Sequence, residues 1–508
     1  MANESLFIGL AIPASILRRL ASDKQMRRDA GFDMLTRLPP ESRYRQPLLR
    51  LGISPMKRRA GSLWLPLLLI ASLSGVWSAG SVWGQEKKSR EQKVREDREK
   101  VEAEGFWIYN DLAKGFEEAK RTGKPMLVVL RCIPCEECVK LDDDLVDQDP
   151  IIRPLLEQFV CVRLVSTNGL DLALFQFDTD QSFAAFLLNA DGTIYGRFGT
   201  RSHRNEWAGD VSLPGLAEAL GGALALHKAY PRDREALAGK RGPEPRFKAP
   251  EKFPSLSGKY QSRLATSGNI VKSCIHCHQI SDAERDWYRS QGQPIPDQVL
   301  FPYPHPKSIG LILDPETRAR VAAVEPESIA AATGFLPGDQ ILRLSGQPLL
   351  SIADVQWVLH GVSNEGGPVA ADVRRGEQTL KLTIELPAQW RSASDISWRA
   401  SSWSLRRMAL GGLVLEELSS EQRATLGIAD DALALRVKHL GEYGPHAAAK
   451  QAGFLKGDVL IAFAGSRDRL RESDLLRIGV QRLKVGDRVP AAVLRDGKTV
   501  ELQLPIQP

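Results

Sequence analysis

Five of the six cysteines fall into two short clusters, and these are the places where this chain of 508 residues could carry out chemistry. The clusters consist of Cys132, Cys135 and Cys138, and of Cys274, Cys277 and the adjacent His278. Disulfide frameworks distribute their cysteines along a domain, so clustering favours thiol redox chemistry or the binding of a metal or prosthetic group. The sixth cysteine, Cys161, lies in an apolar stretch and is predicted to be a buried thiol on a strand.

The second cluster reads Cys-Ile-His-Cys-His, the minimal attachment signal for a c-type haem. Cys274 and Cys277 would form thioethers to the haem vinyl groups, and His278 would bind the iron. The nearest candidate for the sixth iron ligand is His305, in Tyr-Pro-His-Pro. Zinc is the alternative, bound by Cys274, Cys277, His276 or His278, and His305, although this segment has no second C-x-x-C to complete a typical structural site. A simple disulfide between Cys274 and Cys277 is the third interpretation.

The first cluster needs a setting that produces a thiolate, because the thiolate is the reactive form and a helix N terminus lowers the pKa of a thiol. An apolar stretch at 125–130 predicts a strand before the cluster, and a helix pattern follows it. Besides redox chemistry, the three cysteines could form a structural disulfide or bind a metal.

The segment 106–230 contains the elements that must position this first cluster. Its patterns predict β-α-β followed by β-β-α, which is typical of an α/β sandwich. The segment resembles the thioredoxin fold, in which a strand delivers two cysteines to a loop that opens a helix. The resemblance implies that Cys135 and Cys138 are the catalytic dithiol and Cys132 an additional cysteine, with Cys132 and Cys135 as the competing pair. The chain departs from the family at 181–183, where Gln-Ser-Phe replaces a cis-proline.

Two similar units, at about 308–387 and 409–507, occupy the C-terminal part of the chain. Both contain a strand, a small-residue helix and a Gly-Phe-x-x-Gly-Asp motif, which indicates one module used twice. They resemble bacterial PDZ domains, and the resemblance implies that an extended peptide C terminus binds by strand addition. The N–H groups implied to hold its carboxylate belong to Gly310, Leu311 and Ile312, and to Gly412, Leu413 and Val414. The alternative is that a unit packs internally or mediates oligomers.

An export signal is predicted at 56–84, where a basic stretch at 57–59 precedes an apolar run and then small residues. It predicts an extracytoplasmic protein, periplasmic or secreted, in a compartment where disulfides and covalent haem are permitted. Because this signal starts at Met56, residues 1–55 are predicted to be an over-extended N terminus. The alternative is an uncleaved membrane anchor, although a span needs about 20 strongly apolar residues.

Composition and motifs exclude several classes of function. The net charge of +6 is small for 508 residues, so nothing favours nucleic-acid binding. The sequence contains no P-loop or dinucleotide glycine motif. It also lacks the G-x-S-x-G and G-[DN]-S-G-G motifs, so serine protease activity is not predicted.

The predicted fold class is multidomain α/β plus α+β: a thioredoxin-like α/β sandwich, the C-x-x-C-H segment and two PDZ β-sandwich or barrel domains. The boundaries are 1–55 for the extension, 56–84 for the signal or anchor, 85–105 for a charged linker or helix, 106–230 for the thioredoxin-like domain, 231–308 for the C-x-x-C-H linker, 309–387 for the first PDZ unit, 388–408 for a Trp-rich linker and 409–507 for the second. Trp390, Trp398 and Trp403 are predicted to dock the two PDZ units together.

The whole architecture resembles bacterial thioredoxin-like/PDZ proteins, some of which are selenoproteins. The resemblance brings no well-defined reaction with it. The residues themselves lead to the first hypothesis, an exported thiol-disulfide oxidoreductase whose dithiol exchanges electrons with protein thiols or with a haem at Cys274, Cys277 and His278, and whose PDZ units recruit the partner. The alternative is a non-catalytic PDZ scaffold, whose thioredoxin-like domain is degenerate and whose cysteines are structural or bind zinc.

Overall fold

The computed structural model describes residues 88–131, 149–181, 183–200, 211–399 and 401–508. The predicted N-terminal extension, the export signal and the first cysteine cluster, with Cys132, Cys135 and Cys138, lie outside the described residues. In the described part of the chain, no helix is long and apolar enough to cross a bilayer.

A five-stranded mixed sheet forms the α/β domain. Its elements are helix α1 Arg90–Glu104, β1 Ile108–Tyr109, α2 Leu112–Thr122, β2 Met126–Arg131, α3 Ile152–Leu156, β3 Val160–Leu164, β4 Phe183–Leu188, β5 Ile194–Thr200 and α4 Leu213–Ala229. The strand order is β1-β3-β2-β4-β5. Strands β1 and β2 run parallel to β3, whereas β4 and β5 are antiparallel to their neighbours. Every residue of β2, β3 and β4 is buried, because helices or linker segments cover both faces of the sheet.

Helix α1 is built from the mixed-charge run that precedes the sheet. The Ser89 hydroxyl caps its N terminus, and Gly105 ends it in the left-handed conformation. Val94 and Val101 are buried on one side, and Asp97 forms an ion pair with Arg131 at the end of β2. The run is therefore a packed helix, not a free tether.

The linker that carries the second cysteine cluster is built mainly from short helices. They are α5 Arg234–Leu237, the 3-10 turns Ala238–Lys240 and Pro250–Lys252, α6 Ile270–Ser273, α7 Cys277–Ser290 and α8 Asp297–Leu300. Ile275, Ile280 and Ala283 from this linker are buried in the same apolar core as β2 and β3. The linker is thus packed as part of the α/β body.

Two antiparallel modules follow. The first β module contains the 3-10 turn Pro306–Ile309, β6 Leu311–Asp314, β7 Arg320–Val324, α9 Ile329–Thr333, β8 Gln340–Leu344, β9 Gln347–Pro348, α10 Ile352–Gly361, β10 Gly367–Arg375 and β11 Gln378–Leu386. The second contains α11 Ser402–Leu410, β12 Leu413–Glu417, α12 Ser420–Thr425, β13 Leu435–Leu440, the 3-10 turn Gly444–Ala447, α13 Ala448–Gln451, β14 Val459–Phe463, α14 Glu472–Gln481, β15 Arg488–Arg495 and β16 Lys498–Pro505. Their strand orders correspond, β6-β7-β8-β10-β11 and β12-β13-β14-β15-β16.

The two modules also share an internal ion pair. In the first, Arg375 binds Asp339 with two hydrogen bonds of 2.8 Å, and in the second Arg495 binds Asp458 with two of 2.7 Å. Both arginines also donate to the carbonyl of the glycine that ends the small-residue helix. The sequence repeat is therefore a structural repeat.

The tryptophans of the linker between the modules, at 388–408, contact different modules. Trp390 is buried in the core of the first module, and Trp403, which is 45% exposed, lies beside His439 of the second. Arginines make the longer-range contacts: Arg391, for example, donates to the His360 carbonyl at 2.6 Å. The predicted tryptophan docking is not seen among these contacts, because guanidinium groups instead satisfy the carbonyls at helix and loop ends.

Candidate redox and peptide-binding sites

The C-x-x-C-H segment is held at the carboxyl end of strand β3. Thr167 donates to the Ile275 carbonyl through its N–H at 3.0 Å and its hydroxyl at 2.9 Å. Asn168 Oδ1 accepts the Ile275 N–H at 2.8 Å, and the Cys274 thiol points to the Val165 carbonyl at 3.7 Å. These bonds fix the cysteine segment through its backbone.

This edge of the sheet is also where the first cysteine cluster begins in sequence. Strand β2 pairs in parallel with β3, with Leu130 opposite Leu164, and β2 ends at Arg131. Carboxyl ends of parallel strands meet at one edge of a sheet, which is where α/β folds bind ligands. Cys274 therefore lies at the same edge as Arg131, the residue that precedes Cys132 in the chain.

Helix α7 begins at Cys277, the second cysteine of the segment, and carries the predicted histidine ligand. His278 Nδ1 lies 3.4 Å from Asp282 Oδ2, one turn along the helix, and the Asp282 hydrogen bond raises the pKa of His278. Burial raises the pKa of the Cys274 thiol, and burial together with the charge of His278 lowers the pKa of His276. A carboxylate beside Nδ1 favours a proton on that nitrogen, which would leave Nε2 as the nitrogen for a metal ligand bond.

The donor set fits a haem. Two thiols are three residues apart, and a histidine whose Nδ1 is held by a carboxylate follows the second. Two turns further along α7, Arg285 is fully buried, and none of its three guanidinium nitrogens has a hydrogen-bond partner. The charges of Asp180 and Asp282 act on this guanidinium, and its N–H groups would also suit an anionic group such as a haem propionate.

The structure does not assemble the predicted four-residue zinc set. Within the described ranges, no three His, Cys, Asp or Glu side chains lie close enough together to hold a metal ion. His305 starts the 3-10 turn Pro306–Ile309, and its Nδ1 accepts the Lys307 N–H at 3.2 Å. His305 was predicted as a ligand because it is near in sequence, but the fold uses it as a cap for the first β module.

The family comparisons match two parts of this architecture. A thioredoxin-like family model matches residues 107–190, and a PDZ-domain model matches residues 306–386. The chain contains a thioredoxin-like domain and a PDZ domain. The first range holds β1 to β4, four of the five strands of the mixed sheet, and the second holds the whole of the first β module.

Relatives share only part of the chain. A probable periplasmic serine endoprotease DegP-like of Pseudomonas savastanoi pv. phaseolicola (strain 1448A / Race 6) is 30% identical over 119 residues, which is 23% of this chain and 24% of that protein. The chain thus matches about a quarter of the length of this curated relative. Among solved structures, the HtrA-type protease AlgW with decapeptide has 17% identity and a TM-score of 0.18, covering 27% of this chain and 41% of that one. The same protease with tripeptide has 18% identity and a TM-score of 0.17, covering 27% and 48%.

The PDZ domain presents β6 as the edge strand of its sheet, with α10 as the neighbouring helix. Of the predicted carboxylate donors, Gly310 gives its N–H to the Lys307 carbonyl at 2.9 Å. A side chain at Gly310 would also collide with Ser328, and its φ of +78° suits glycine. Gly310 therefore shapes the turn, and Leu311 and Ile312 remain as the candidate donors.

In the second β module, helix α11 lies over the edge strand β12, which corresponds to β6 of the first module. The Gly412 N–H donates to the Arg406 carbonyl at 2.9 Å. The Leu415 N–H donates to Glu472 Oε1 at 2.8 Å, and Glu472 also forms a buried ion pair with Arg406 of α11. Helix α11 thus occupies part of the edge at which Gly412, Leu413 and Val414 were predicted to bind a carboxylate. This arrangement agrees with the alternative that the unit packs internally.

Sequence reasoning missed the polar cluster that ties the thioredoxin-like domain to the linker between the modules. Arg399 donates to both oxygens of Asp178, at 2.6 and 3.0 Å, and to Asp180 at 3.1 Å. All three side chains are buried, and Ser401 donates twice to Asp180. Asp178 and Asp180 lie in the loop before β4, where the family's cis-proline is missing. No local sequence motif identifies Arg399 as their partner.

Proposed function

We propose that the chain is an exported redox protein, in which a thioredoxin-like dithiol exchanges electrons with a c-type haem and PDZ modules recruit the protein partner. The observation that carries this proposal is the docking of the C-x-x-C-H segment at the carboxyl end of β3, beside the strand that leads into the first cysteine cluster. The attachment segment and the end of β2 at Arg131 share one sheet edge, which supports electron exchange within one molecule.

In this proposal Cys135 and Cys138 are the dithiol, and Cys132 is an additional cysteine. Oxidation of the dithiol to a disulfide releases two protons to solvent and two electrons, so a one-electron haem would pass the first electron to an external one-electron acceptor before it takes the second. Cys274 and Cys277 hold the haem covalently and His278 binds its iron, and the haem when bound supplies a one-electron carrier. The protein groups around it have orienting roles: Asp282 holds the imidazole, and Thr167 and Asn168 hold the backbone of the attachment segment.

The PDZ domain gives the protein a means of binding peptides or proteins, and we propose free C termini as its ligands. We also propose that residues 409–507 are a second PDZ domain. The matching strand order and the repeated Arg–Asp pair support this. Its covered edge indicates that it serves internal packing in the resting protein.

Export is part of the proposal, with Met56 as the translation start and residues 56–84 as a cleaved signal. A thiol–haem pair requires an oxidising compartment with haem-attachment machinery, which agrees with that assignment. N-terminal sequencing of the mature protein tests it: a terminus near residue 85 is expected. A terminus at or before Met56 would favour the alternative, a retained anchor with membrane association.

The haem is tested on protein exported from a host with c-type maturation. We expect a Soret band and haem retained after denaturation, because thioethers survive unfolding, and a complete loss of both in Cys274→Ser/Cys277→Ser. Cys161→Ser is the control, because Cys161 is a buried cysteine like Cys274 but belongs to strand β3. Wild-type protein with stoichiometric zinc and no Soret band would contradict the proposal.

A non-catalytic scaffold is the second candidate, favoured by the loop before β4. This loop lacks the family's proline, and Arg399 ties its carboxylates to the linker. The scaffold predicts normal partner capture by a Cys135→Ser/Cys138→Ser protein, and no reaction of the wild-type chain with a test disulfide. The redox proposal predicts a reaction that Cys135→Ser abolishes.

A further inference from the structure

Helix α6, the short helix that leads to Cys274, is capped at its N terminus by a side chain of helix α1. Glu91 of α1 accepts the Ile270 N–H at 3.1 Å through Oε1 and the Val271 N–H at 3.0 Å through Oε2. The bonds from Val271 and Ile270 hold the pKa of Glu91 below its usual value. A helix leaves its first N–H groups without partners, so this carboxylate replaces a local cap.

The apolar side of α1 packs beside the cysteine itself. Val94 of α1 is buried in a small cluster with Ile270 of α6 and Val165 at the end of β3. The carbonyl of Val165 is the one that lies 3.7 Å from the Cys274 thiol. Helix α1 therefore contacts the backbone that leads to Cys274 and also the apolar cluster beside its sulfur atom.

The rest of α1 is anchored, so Glu91 acts from a fixed element. Arg95 donates to the Gly268 carbonyl at 2.6 Å, just before α6. One half-turn further along, Asp97 forms the ion pair with Arg131 at the end of β2. Helix α1 thus spans from the attachment segment to the strand that leads into the first cysteine cluster.

The two cysteines of the motif differ in exposure. Cys274 is 8% exposed, whereas Cys277, the first residue of α7, is half-buried. The backbone is held on both sides of Cys274, by Glu91 through α6 before it and by the bond from the Ile275 N–H to Asn168 after it. The contact between α1 and α6 is therefore one of the two fixtures that keep the Cys274 thiol covered.

We propose that Glu91 is a positioning residue of the C-x-x-C-H site, which acts through α6 to hold the Cys274 thiol in its buried place beside Val165. As a statement about a haem site, this inference rests on the proposed function. The two attachment positions are then unequal. An electrophile reaches Cys277 directly, and it reaches Cys274 when the contact between α1 and α6 opens.

The test measures how fast each thiol is alkylated in the folded protein. The chain is produced reduced and without haem in a host that lacks c-type maturation, and it is treated with iodoacetamide. Peptide mass spectrometry over time gives a separate rate for each cysteine. In wild type, Cys277 should react faster than Cys274. In Glu91→Ala, the rate at Cys274 should rise roughly ten-fold, as expected for the loss of a helix cap.

Cys161 is the internal reporter of global unfolding, because it is buried on strand β3. Its rate should stay at the wild-type value in Glu91→Ala, whereas a change that merely destabilised the domain would speed up Cys161 and Cys274 together. Glu99→Ala, at an exposed residue of the same helix, is the matched control and should leave all rates unchanged. Glu91→Gln keeps one acceptor oxygen and should restore part of the protection of Cys274.

Two results would overturn the role of Glu91. One is a Cys274 rate that Glu91→Ala leaves unchanged or raises only together with the Cys161 rate. The other is equal alkylation of Cys274 and Cys277 in wild type, which needs no variant. Failure of the proposed function gives a different result: exported wild type without a Soret band would contradict the haem, and the alkylation rates would still decide whether Glu91 positions the segment.

Discussion

Replacing Arg399 with methionine should lower the free energy of unfolding by about 3–5 kcal/mol, because two buried carboxylates then lose the guanidinium that hydrogen-bonds to both of them. Arg399 makes three hydrogen bonds to Asp178 and Asp180, and a fourth to the Pro302 carbonyl at 2.6 Å. Urea unfolding followed by tryptophan fluorescence measures the loss. Arg374→Met, at an exposed arginine of β10, should change it by no more than about 0.5 kcal/mol.

Arg399→Lys separates charge from geometry in the same cluster. A lysine keeps the positive charge, but it cannot bind both oxygens of Asp178 and reach Asp180 as the planar guanidinium does. We expect a loss between those of the control and of Arg399→Met. A loss below about 1 kcal/mol for Arg399→Met would show that water reaches these carboxylates and that the cluster is not a buried one.

The same cluster should make stability fall in acid. Burial alone would raise the pKa of Asp180, but the charges of Arg399 and Arg285 and the Ser401 hydrogen bonds hold that pKa below its usual value. A carboxyl group with a lowered pKa in the folded state adds stability above its unfolded pKa of about 3.9. That stability is lost as the pH falls through the folded pKa. Unfolding at a series of pH values should therefore show a decline below about pH 4 that Asp180→Asn flattens.

Local patterns in the sequence were enough to predict the elements of this protein. The apolar run at 125–130 predicts the central strand β2, and the repeated Gly-Phe-x-x-Gly-Asp motif predicts two modules of the same design. Each pattern is informative because hydrophobic periodicity, glycines and turn residues determine the local backbone conformation over a few neighbouring positions. The buried strand position of Cys161 follows in the same way.

Contacts between distant segments were beyond the sequence. Arg399 and Asp178 are 221 positions apart, and a single sequence carries no signal that would pair one arginine among many with one carboxylate. Thr167 and Asn168, which hold the C-x-x-C-H segment, look like ordinary turn residues. His305 and Trp390 show the complementary case: motif and composition suggest chemistry or docking, but His305 caps a turn of the first β module and Trp390 is buried in the core of that module.

Replacing Asp354 with alanine should be the second costly change, at about 3–5 kcal/mol, because it leaves the buried Lys240 ammonium without its carboxylate. Asp354 Oδ1 lies 2.9 Å from Lys240 Nζ and accepts the Arg197 N–H at 3.1 Å, and Oδ2 accepts the Leu350 N–H at 2.8 Å. The aspartate is fully buried and Lys240 is 1% exposed. One side chain thus joins the linker, strand β5 and the start of the PDZ helix.

A double-mutant cycle separates the ion pair from the backbone bonds. Lys240→Met removes the cation but leaves Asp354 with two N–H donors, so it should cost less than Asp354→Ala. Once the lysine is methionine, Asp354→Ala should cost about 1–3 kcal/mol less than it does in wild type, because no unpaired ammonium is left behind. Hydrogen exchange of residues 350–359 should rise in Asp354→Ala and stay closer to wild type in the double variant. Additive costs in the two backgrounds would mean that Lys240 and Asp354 are not coupled, and that the backbone bonds alone anchor the PDZ helix to the thioredoxin-like domain.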